Sequence, residues 1–187
     1  MESNQITEIE EQIKALRTQL VNLRRAQCGE RVHDYVFAKT DGTDIKLSEM
    51  FGDKQDLIVI HNMGATCRYC TLWADGLNGL ALPIADRAGL WLVNSDEPES
   101  QAKFAKSRGW TLNVASAGKN SFTQDMGFHT EKDGYWPGFS TFRKLDDGNI
   151  RRIGFDYFGP GDLYCAIWPM MEFLDQGEAG WEPKFKY

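Results

Sequence analysis

The residues with the clearest chemical potential are two cysteines separated by two positions, Cys67 and Cys70. They follow an apolar run at residues 57–60, and an apolar stretch, TLW, comes after them. This order predicts a buried strand, a tight loop and a helix over about residues 70–86, with the dithiol at the turn. A helix N-terminus presents unpaired N–H groups and a partial positive charge, which together stabilise a thiolate.

Such a dithiol predicts thiol–disulfide exchange. A cysteine at a helix N-terminus has a pKa lowered from ~8.5 to ~3.5–7.5. We assign Cys67 as the attacking thiolate and Cys70 as the resolving thiol, because two intervening residues keep the second sulfur within reach of the first. Arg68 adds a cation between them.

Two other readings of the pair are open. A structural zinc site usually takes four N or S ligands, and beyond the pair the chain has only Cys28, Cys165 and three scattered histidines. The pair could also be structural, without redox chemistry. We therefore expect no metal and no cofactor. We expect Cys165 to be a small buried hydrophobe rather than a third redox thiol.

His61 stands six residues before Cys67, at the end of the predicted strand. An ionisable group there would lie beneath the dithiol. Our hypothesis is that His61 relays the proton when Cys70 attacks a mixed disulfide. The alternative is a hydrogen-bonded histidine of the core.

Composition describes an ordinary globular chain. It has 187 residues, 42% hydrophobic and 26% charged, with a net charge of −6. We therefore predict no nucleic-acid partner, since no basic stripe is present. No apolar run approaches the ~18 residues of a membrane helix, and the polar N-terminus does not resemble a signal peptide, so we expect no membrane and a cytoplasmic location. Thiols there are mostly reduced, which favours a redox-active or metal-binding pair over a structural disulfide.

The N-terminal segment, residues 1–28, predicts an amphipathic helix over residues 2–26, where Gly and Pro are absent. Apolar residues recur there at spacings of three and four: Ile6, Ile9, Ile13, Leu16, Leu20 and Leu23. This is the pattern of a heptad seam. It fits either dimerisation through a helix pair, which would make the protein a homodimer, or packing on the chain's own domain.

Residues 29–187 predict a second unit in which strands and helices alternate. Its β-α-β order implies parallel strands with right-handed crossovers. The expected elements are a hairpin at 35–51 with a turn at Asp41-Gly42, strands at 57–60, 90–93 and 110–116, helices at 70–86 and 97–108, an irregular stretch at 117–136, a hairpin from 139–143 and 150–155, a helix at 162–175 and an extended tail.

With these elements in hand, the chain resembles the thioredoxin superfamily. The resemblance rests on residues 57–70 and on WPGFSTFRKLDDGNIRRIGF, which starts at Trp136. It implies a three-layer α/β/α fold with a mixed sheet and an N-terminal β-hairpin. It also implies that Pro137 is cis and lies beside the dithiol, and that substrate contacts Trp136, Pro137, Arg68 and Tyr69. His61 occupies the place of the family's buried acid.

The front half resembles the peroxiredoxin branch, through YVFAKTDGTDIKLSEMFGDKQDLIVI and SRGWTLNVASAGKNSFTQDMGF. If Cys70 were the peroxidatic residue, Cys67 would replace that branch's Thr and Met63 its Pro. This broken pattern moves the expectation from peroxide reduction to disulfide exchange. A thiol peroxidase acting through Cys70 stays an alternative, and so does a non-catalytic binding module.

Residues 30–187 also resemble family 899 of domains of unknown function, whose members are often labelled predicted dithiol–disulfide oxidoreductases. CRYCTLWADGLNGL, SRGW, PGFSTF and FGPGDLYCAIW carry this resemblance. The implied partners are a disulfide-containing protein or small thiol substrate, and a reductant such as thioredoxin or glutathione. The direction, reductase or oxidase, depends on the redox potential.

Overall fold

The computed structural model describes residues 2–187, with side chains from residue 4 onward. Within that part no helix is both long and apolar enough to cross a membrane. The elements in chain order are α1 (Glu2–Ala26), β1 (Arg31–Val32), β2 (Val36–Lys39), β3 (Asp44–Lys46), β4 (Asp56–His61), α2 (Arg68–Gly79), α3 (Ala81–Arg87), β5 (Gly89–Asn94), α4 (Pro98–Arg108), β6 (Asn113–Ser116), α5 (Phe122–Asp125), β7 (His129–Thr130), β8 (Gly134–Tyr135), β9 (Gly138–Lys144), β10 (Ile150–Tyr157) and α6 (Ile167–Met171).

One mixed sheet of eight strands organises the domain, in the order β1-β10-β9-β4-β5-β6-β2-β3. Its centre, β4-β5-β6, is parallel, as the continuous apolar runs predicted. The early hairpin joins β6 antiparallel at one edge, and the late hairpin joins β4 antiparallel on the other side. The expected mixed α/β sheet is thus confirmed. β7 and β8 form a separate ribbon that the polar sequence did not predict.

The two faces of the sheet bury two separate clusters. Along β4, Leu57 and Val59 point into one and Ile60 into the other, because side chains alternate along a strand. The first cluster is rich in Phe and includes Phe122, Phe128 and Phe142. The second packs the helices that flank the dithiol, through Trp73, Leu92 and Trp168 among others.

Two helices differ from the sequence expectation. The helix predicted over residues 70–86 begins earlier, at Arg68, and is interrupted at Leu80. Pro83 lies three residues past that interruption, and its missing N–H cannot continue the hydrogen-bonding of α2. The final helix, expected over 162–175, is only Ile167–Met171. The Asp162 carboxylate accepts the N–H groups of Tyr164 and Cys165, which folds those residues as a turn.

Helix α1 has the predicted bounds but does not pack its seam on the domain. Residues 4–23 are exposed throughout. The helix meets the body near its C-terminal end, where Arg24 pairs with Asp156 and the Arg25 side chain lies against Gly154 on β10. The alternative in which the apolar seam is covered by the chain's own domain is therefore wrong.

Candidate functional site

Cys67 is the N-cap of α2, with an extended backbone at φ −89° and ψ 104°. Its sulfur accepts a hydrogen bond of 3.0 Å from the backbone N–H of Cys70. Its carbonyl oxygen accepts from the N–H and the hydroxyl of Thr71, at 3.0 and 2.9 Å. The cysteine therefore plays the part that Ser or Asp usually plays at a helix start, with sulfur in place of oxygen.

The pKa values of the two thiols are shifted in opposite directions. Hydrogen bonding from the Cys70 side chain lowers the pKa of Cys67 to about 7; burial opposes this, and the N–H groups of Cys70 and Tyr69 add to it. The same hydrogen bond raises the pKa of Cys70, with further increases from burial and from the charge on Cys67. Cys67 is half-buried, Cys70 is 2% exposed, and neither is in a disulfide.

The loop before Cys67 is held by a polar cluster at the carboxyl ends of β4 and β5. The Asn62 side chain accepts from Gly64 N–H at 2.7 Å, and the Asp96 carboxylate accepts from Ala65 N–H at 2.8 Å. Gly64 has φ +98°, and a Cβ there would lie 2.7 Å from Asp96. Only glycine fits this position without strain.

Sequence reasoning did not assign Asn62 or Asp96 to the site. The sequence could have indicated them, because Asn62 and Asp96 follow the ends of adjacent parallel strands. The carboxyl ends of such strands meet at one edge of the sheet. The Asn62 amide also donates to the Cys70 carbonyl at 3.4 Å, so it touches both the loop and the helix.

His61 lies at the end of β4, 1% exposed, with its ring stacked on Phe128 at 3.7 Å. Its Nε2 is 3.0 Å from the Ser140 hydroxyl, which also accepts from Arg152 at 3.1 Å. Burial, aided by the charge of Arg152, holds the His61 pKa well below its usual range. Among the described residues neither sulfur is hydrogen-bonded to His61, so the proton relay stays a prediction.

Three of the four predicted substrate-binding residues share one groove. Tyr69, Trp136 and Pro137 line a cavity of about 380 Å³. The other apolar side chains around it are Met63, Trp73, Tyr135, Phe158 and Pro160. Trp136 is 48% exposed. The groove is thus mainly aromatic; neither cysteine lines it, but Tyr69, which does, lies between the two cysteines in the sequence.

The expectation of a cis peptide bond before Pro137 is wrong. No peptide bond in residues 2–187 is cis. Trans is the preferred isomer of X-Pro bonds in general. Here the flanking groups extend the sheet pairing: Trp136 N–H donates to Phe128 O at 2.8 Å and Pro137 O accepts from Phe158 N–H at 2.9 Å.

Arg68, the fourth predicted contact, does not line the groove. Its guanidinium pairs with Glu182 of the C-terminal tail at 2.6 Å and stacks near the Tyr69 ring. The Tyr69 hydroxyl reaches the same carboxylate at 3.5 Å. The tail is anchored further along, where the Phe185 carbonyl accepts from Arg108 at 2.6 Å. The tail therefore covers one side of the dithiol turn.

The other cysteines are not in disulfides either. Cys165 is 7% exposed and packs in the second core cluster, and burial raises its pKa. Burial also raises the pKa of the half-buried Cys28 thiol. Within the described residues, no three His, Cys, Asp or Glu side chains converge as a metal site would require.

Residues 2–185 match a family described as bacterial protein of unknown function, DUF899. The chain belongs to this family. The match extends the resemblance from residues 30–187 to the N-terminal helix. A comparison with curated protein sequences finds no match.

Solved structures similar to this DUF899 chain share its fold. Peroxidoxin BcpB from Mycobacterium tuberculosis is 22% identical, with a TM-score of 0.57 over 70% of this chain and 84% of that one. Peroxiredoxin Q from Xylella fastidiosa is 16% identical, with a TM-score of 0.58 over the same shares of 70% and 84%. A hypothetical protein from Sinorhizobium meliloti is 19% identical, with a TM-score of 0.55 over 84% and 87%. The thioredoxin-like fold is thereby confirmed.

Proposed function

We propose that this protein is a thiol–disulfide oxidoreductase acting through Cys67 and Cys70. One observation carries the proposal: the Cys67 sulfur caps α2, accepts the Cys70 N–H at 3.0 Å and has a pKa of about 7. About half of such a thiol is ionised at neutral pH, and the thiolate is the nucleophile in disulfide exchange.

In the reducing direction, the Cys67 thiolate attacks one sulfur of the substrate disulfide. The attacked sulfur becomes bonded to Cys67 in a mixed disulfide, the substrate S–S bond breaks, and the other substrate sulfur leaves as a thiolate. Cys70 then loses its proton and attacks the Cys67 sulfur. The Cys67–Cys70 disulfide forms, the substrate sulfur that was bonded to Cys67 leaves as a thiolate, and the substrate has gained two electrons. An external thiol reductant, such as thioredoxin or glutathione, restores the dithiol.

The raised pKa of Cys70 suits this order of events. Two of its causes, the hydrogen bond with Cys67 and the negative charge on that sulfur, exist only while Cys67 is a thiolate. Formation of the mixed disulfide removes both. Cys70 therefore becomes easier to ionise at the step at which it must attack. His61 is our candidate for receiving that proton, although the hydrogen bonds among the described residues do not connect it to Cys70.

The aromatic groove is our candidate substrate site. Tyr69, Trp136 and Pro137 offer an apolar surface beside the dithiol. It suits an apolar or aromatic segment of a disulfide-containing protein, or a small disulfide with an apolar group. We also propose a cytoplasmic location, because thiol reductants there could restore the dithiol after each turnover.

A thiol peroxidase is the second candidate, since the peroxiredoxins compared above share the fold. A Cys70-based peroxidase is disfavoured because that thiol is buried and its pKa is raised. A non-catalytic module is disfavoured because Cys67 is partly open to solvent and readily ionised.

The test uses the Cys70→Ser and Cys67→Ser variants with insulin and oxidised glutathione as disulfide substrates. We expect Cys70→Ser to accumulate a mixed disulfide on Cys67, seen by mass spectrometry, and Cys67→Ser to accumulate none. The same proteins are mixed with hydrogen peroxide. Rapid peroxide consumption that is retained in Cys67→Ser and lost in Cys70→Ser would select the peroxidase instead.

A further inference from the structure

Helix α1 carries a continuous apolar stripe that no other element among residues 4–187 covers. The six side chains of the heptad seam are 46–64% exposed: Ile6, Ile9, Ile13, Leu16, Leu20 and Leu23. A helix of 25 residues spans about 37 Å. Helices in proteins owe most of their stability to packing of an amphipathic face, so a stripe of this length indicates an interface.

The charges of α1 are divided by sign along its length. In residues 2–13 the charged side chains are all acidic: Glu2, Glu8, Glu10 and Glu11. In residues 14–26 they are all basic: Lys14, Arg17, Arg24 and Arg25. A second copy of α1 running in the opposite direction would place acidic half against basic half. A parallel copy would bring the two acidic halves together and the two basic halves together, which does not gain this attraction.

We propose that two copies of this chain dimerise through α1 as an antiparallel helix pair. In the register that aligns all six seam residues, Ile6 packs against the partner's Leu23. Ile9 then meets the partner's Leu20, and Ile13 meets the partner's Leu16. Each layer contains one Ile and one Leu, and the arrangement is two-fold symmetric. A parallel pair would instead stack Ile on Ile and Leu on Leu, without the Ile-then-Leu alternation of parallel dimers.

The positions flanking the seam agree with this register. On one side lie Glu10, Arg17 and Arg24, and on the other Gln5, Gln12 and Gln19. In an antiparallel pair each side faces its own counterpart, so Glu10 faces the partner's Arg17, twice by symmetry. In a parallel pair these charges would face glutamines. Arg24 already pairs with Asp156 of its own chain, so this register does not require it to pair with the partner helix.

The experiment is sedimentation equilibrium on the full-length reduced protein with Glu10→Arg, Arg17→Glu and the double variant. Wild type is expected to be a dimer. Each single change makes both symmetric pairs repulsive and should raise the dimer Kd about tenfold or more. The double variant should return to within about threefold of wild type, because it only exchanges the partners' signs. Glu11→Arg, the same charge change on the outer face, serves as the control and should change the Kd far less than either single variant, because position 11 lies away from the seam.

Several results would overturn the proposal. A monomeric wild type would remove the dimer. Single variants as tight as wild type would indicate a parallel or different interface, and a double variant no tighter than the singles would exclude the Glu10–Arg17 pairing. Ile13→Glu should give a monomer whose body melts at the wild-type temperature; if it remains a dimer, α1 is not the interface. None of these outcomes depends on the redox function.

Discussion

The backbone N–H of Cys70 points at the sulfur of Cys67 across 3.0 Å, so one turn of helix stabilises a thiolate on the first cysteine and a thiol on the second. The proposed direction of attack, from Cys67 first, rests on this relationship. The Cys67 thiol is partly open to solvent and has a lowered pKa, whereas the Cys70 thiol is buried and has a raised pKa.

Alkylation of the reduced protein by iodoacetamide should modify Cys67 first. Because its pKa is about 7, the rate should rise with pH and reach half its maximum near that value. Peptide mapping after brief labelling between about pH 5 and pH 9 gives the profile. Cys67→Ser should lose the fast phase, whereas Cys165→Ser should keep it. A midpoint near the ~8.5 of a free cysteine would contradict the assignment.

Gly64→Ala should destabilise the protein by about 2 kcal/mol or more and slow the reaction of Cys67. An alanine there must adopt φ +98°, and its Cβ would meet Asp96, which holds the loop. Gly76→Ala is the matched control, because nothing lies within 4 Å of a Cβ in the middle of α2. It should be neutral or stabilise by up to ~1 kcal/mol. Urea unfolding measures both, and equal effects would contradict this account of the loop.

His61 should make stability fall in mild acid. Its folded pKa is depressed below 6.5, so the unfolded chain binds the proton more readily. The contribution of neutral His61 to the free energy of unfolding is fully present above about pH 6.5. It is lost as the pH falls below that value, by at most ~1.4 kcal/mol per pH unit. His61→Gln should lose this part of the slope between about pH 6.5 and pH 5, and His33→Gln, at an exposed histidine, should keep it. Identical slopes in all three proteins would refute the prediction.

Trp136→Ala should weaken substrate binding more than chemistry. The side chain lines the groove and is 48% exposed, so its removal should leave the fold intact while taking away apolar contact area. With insulin as substrate we expect KM to rise about tenfold and kcat to change little. Phe173→Ala, at an aromatic 92% exposed and outside that groove, is the control. A loss confined to kcat would assign Trp136 a different part in the reaction.

Much of the fold could be predicted because its signals are local. The apolar runs at 57–60 and 90–93 predict buried parallel strands, and Asp41-Gly42 and residues 146–148 mark hairpin turns. The cysteine motif predicts the dithiol at the start of a helix, although α2 begins at Arg68, two residues before the predicted start. The interruption at Leu80 also had a local signal in Pro83, which our prediction of one helix overlooked.

The surroundings of the site were harder to predict because its contacts come from distant segments. Glu182 reaches Arg68 across 114 residues of sequence, and Ser140 reaches His61 across 79. No local pattern encodes such pairs. The family resemblance predicted that Trp136 and Pro137 contact substrate, and these two residues do share the groove. It also predicted a cis peptide bond before Pro137, which this chain does not adopt.

We propose above all that Cys67 and Cys70 form one reversible two-electron couple. Its most direct test equilibrates the protein in glutathione buffers of varied ratio, quenches with acid, and counts the Cys67–Cys70 disulfide by mass spectrometry. We predict a single two-electron transition, with a potential between about −270 mV, as in a thioredoxin-type reductant, and about −120 mV, as in a strong oxidant. Absence of this disulfide at every ratio, or its replacement by a bond to Cys28 or Cys165, would contradict the account.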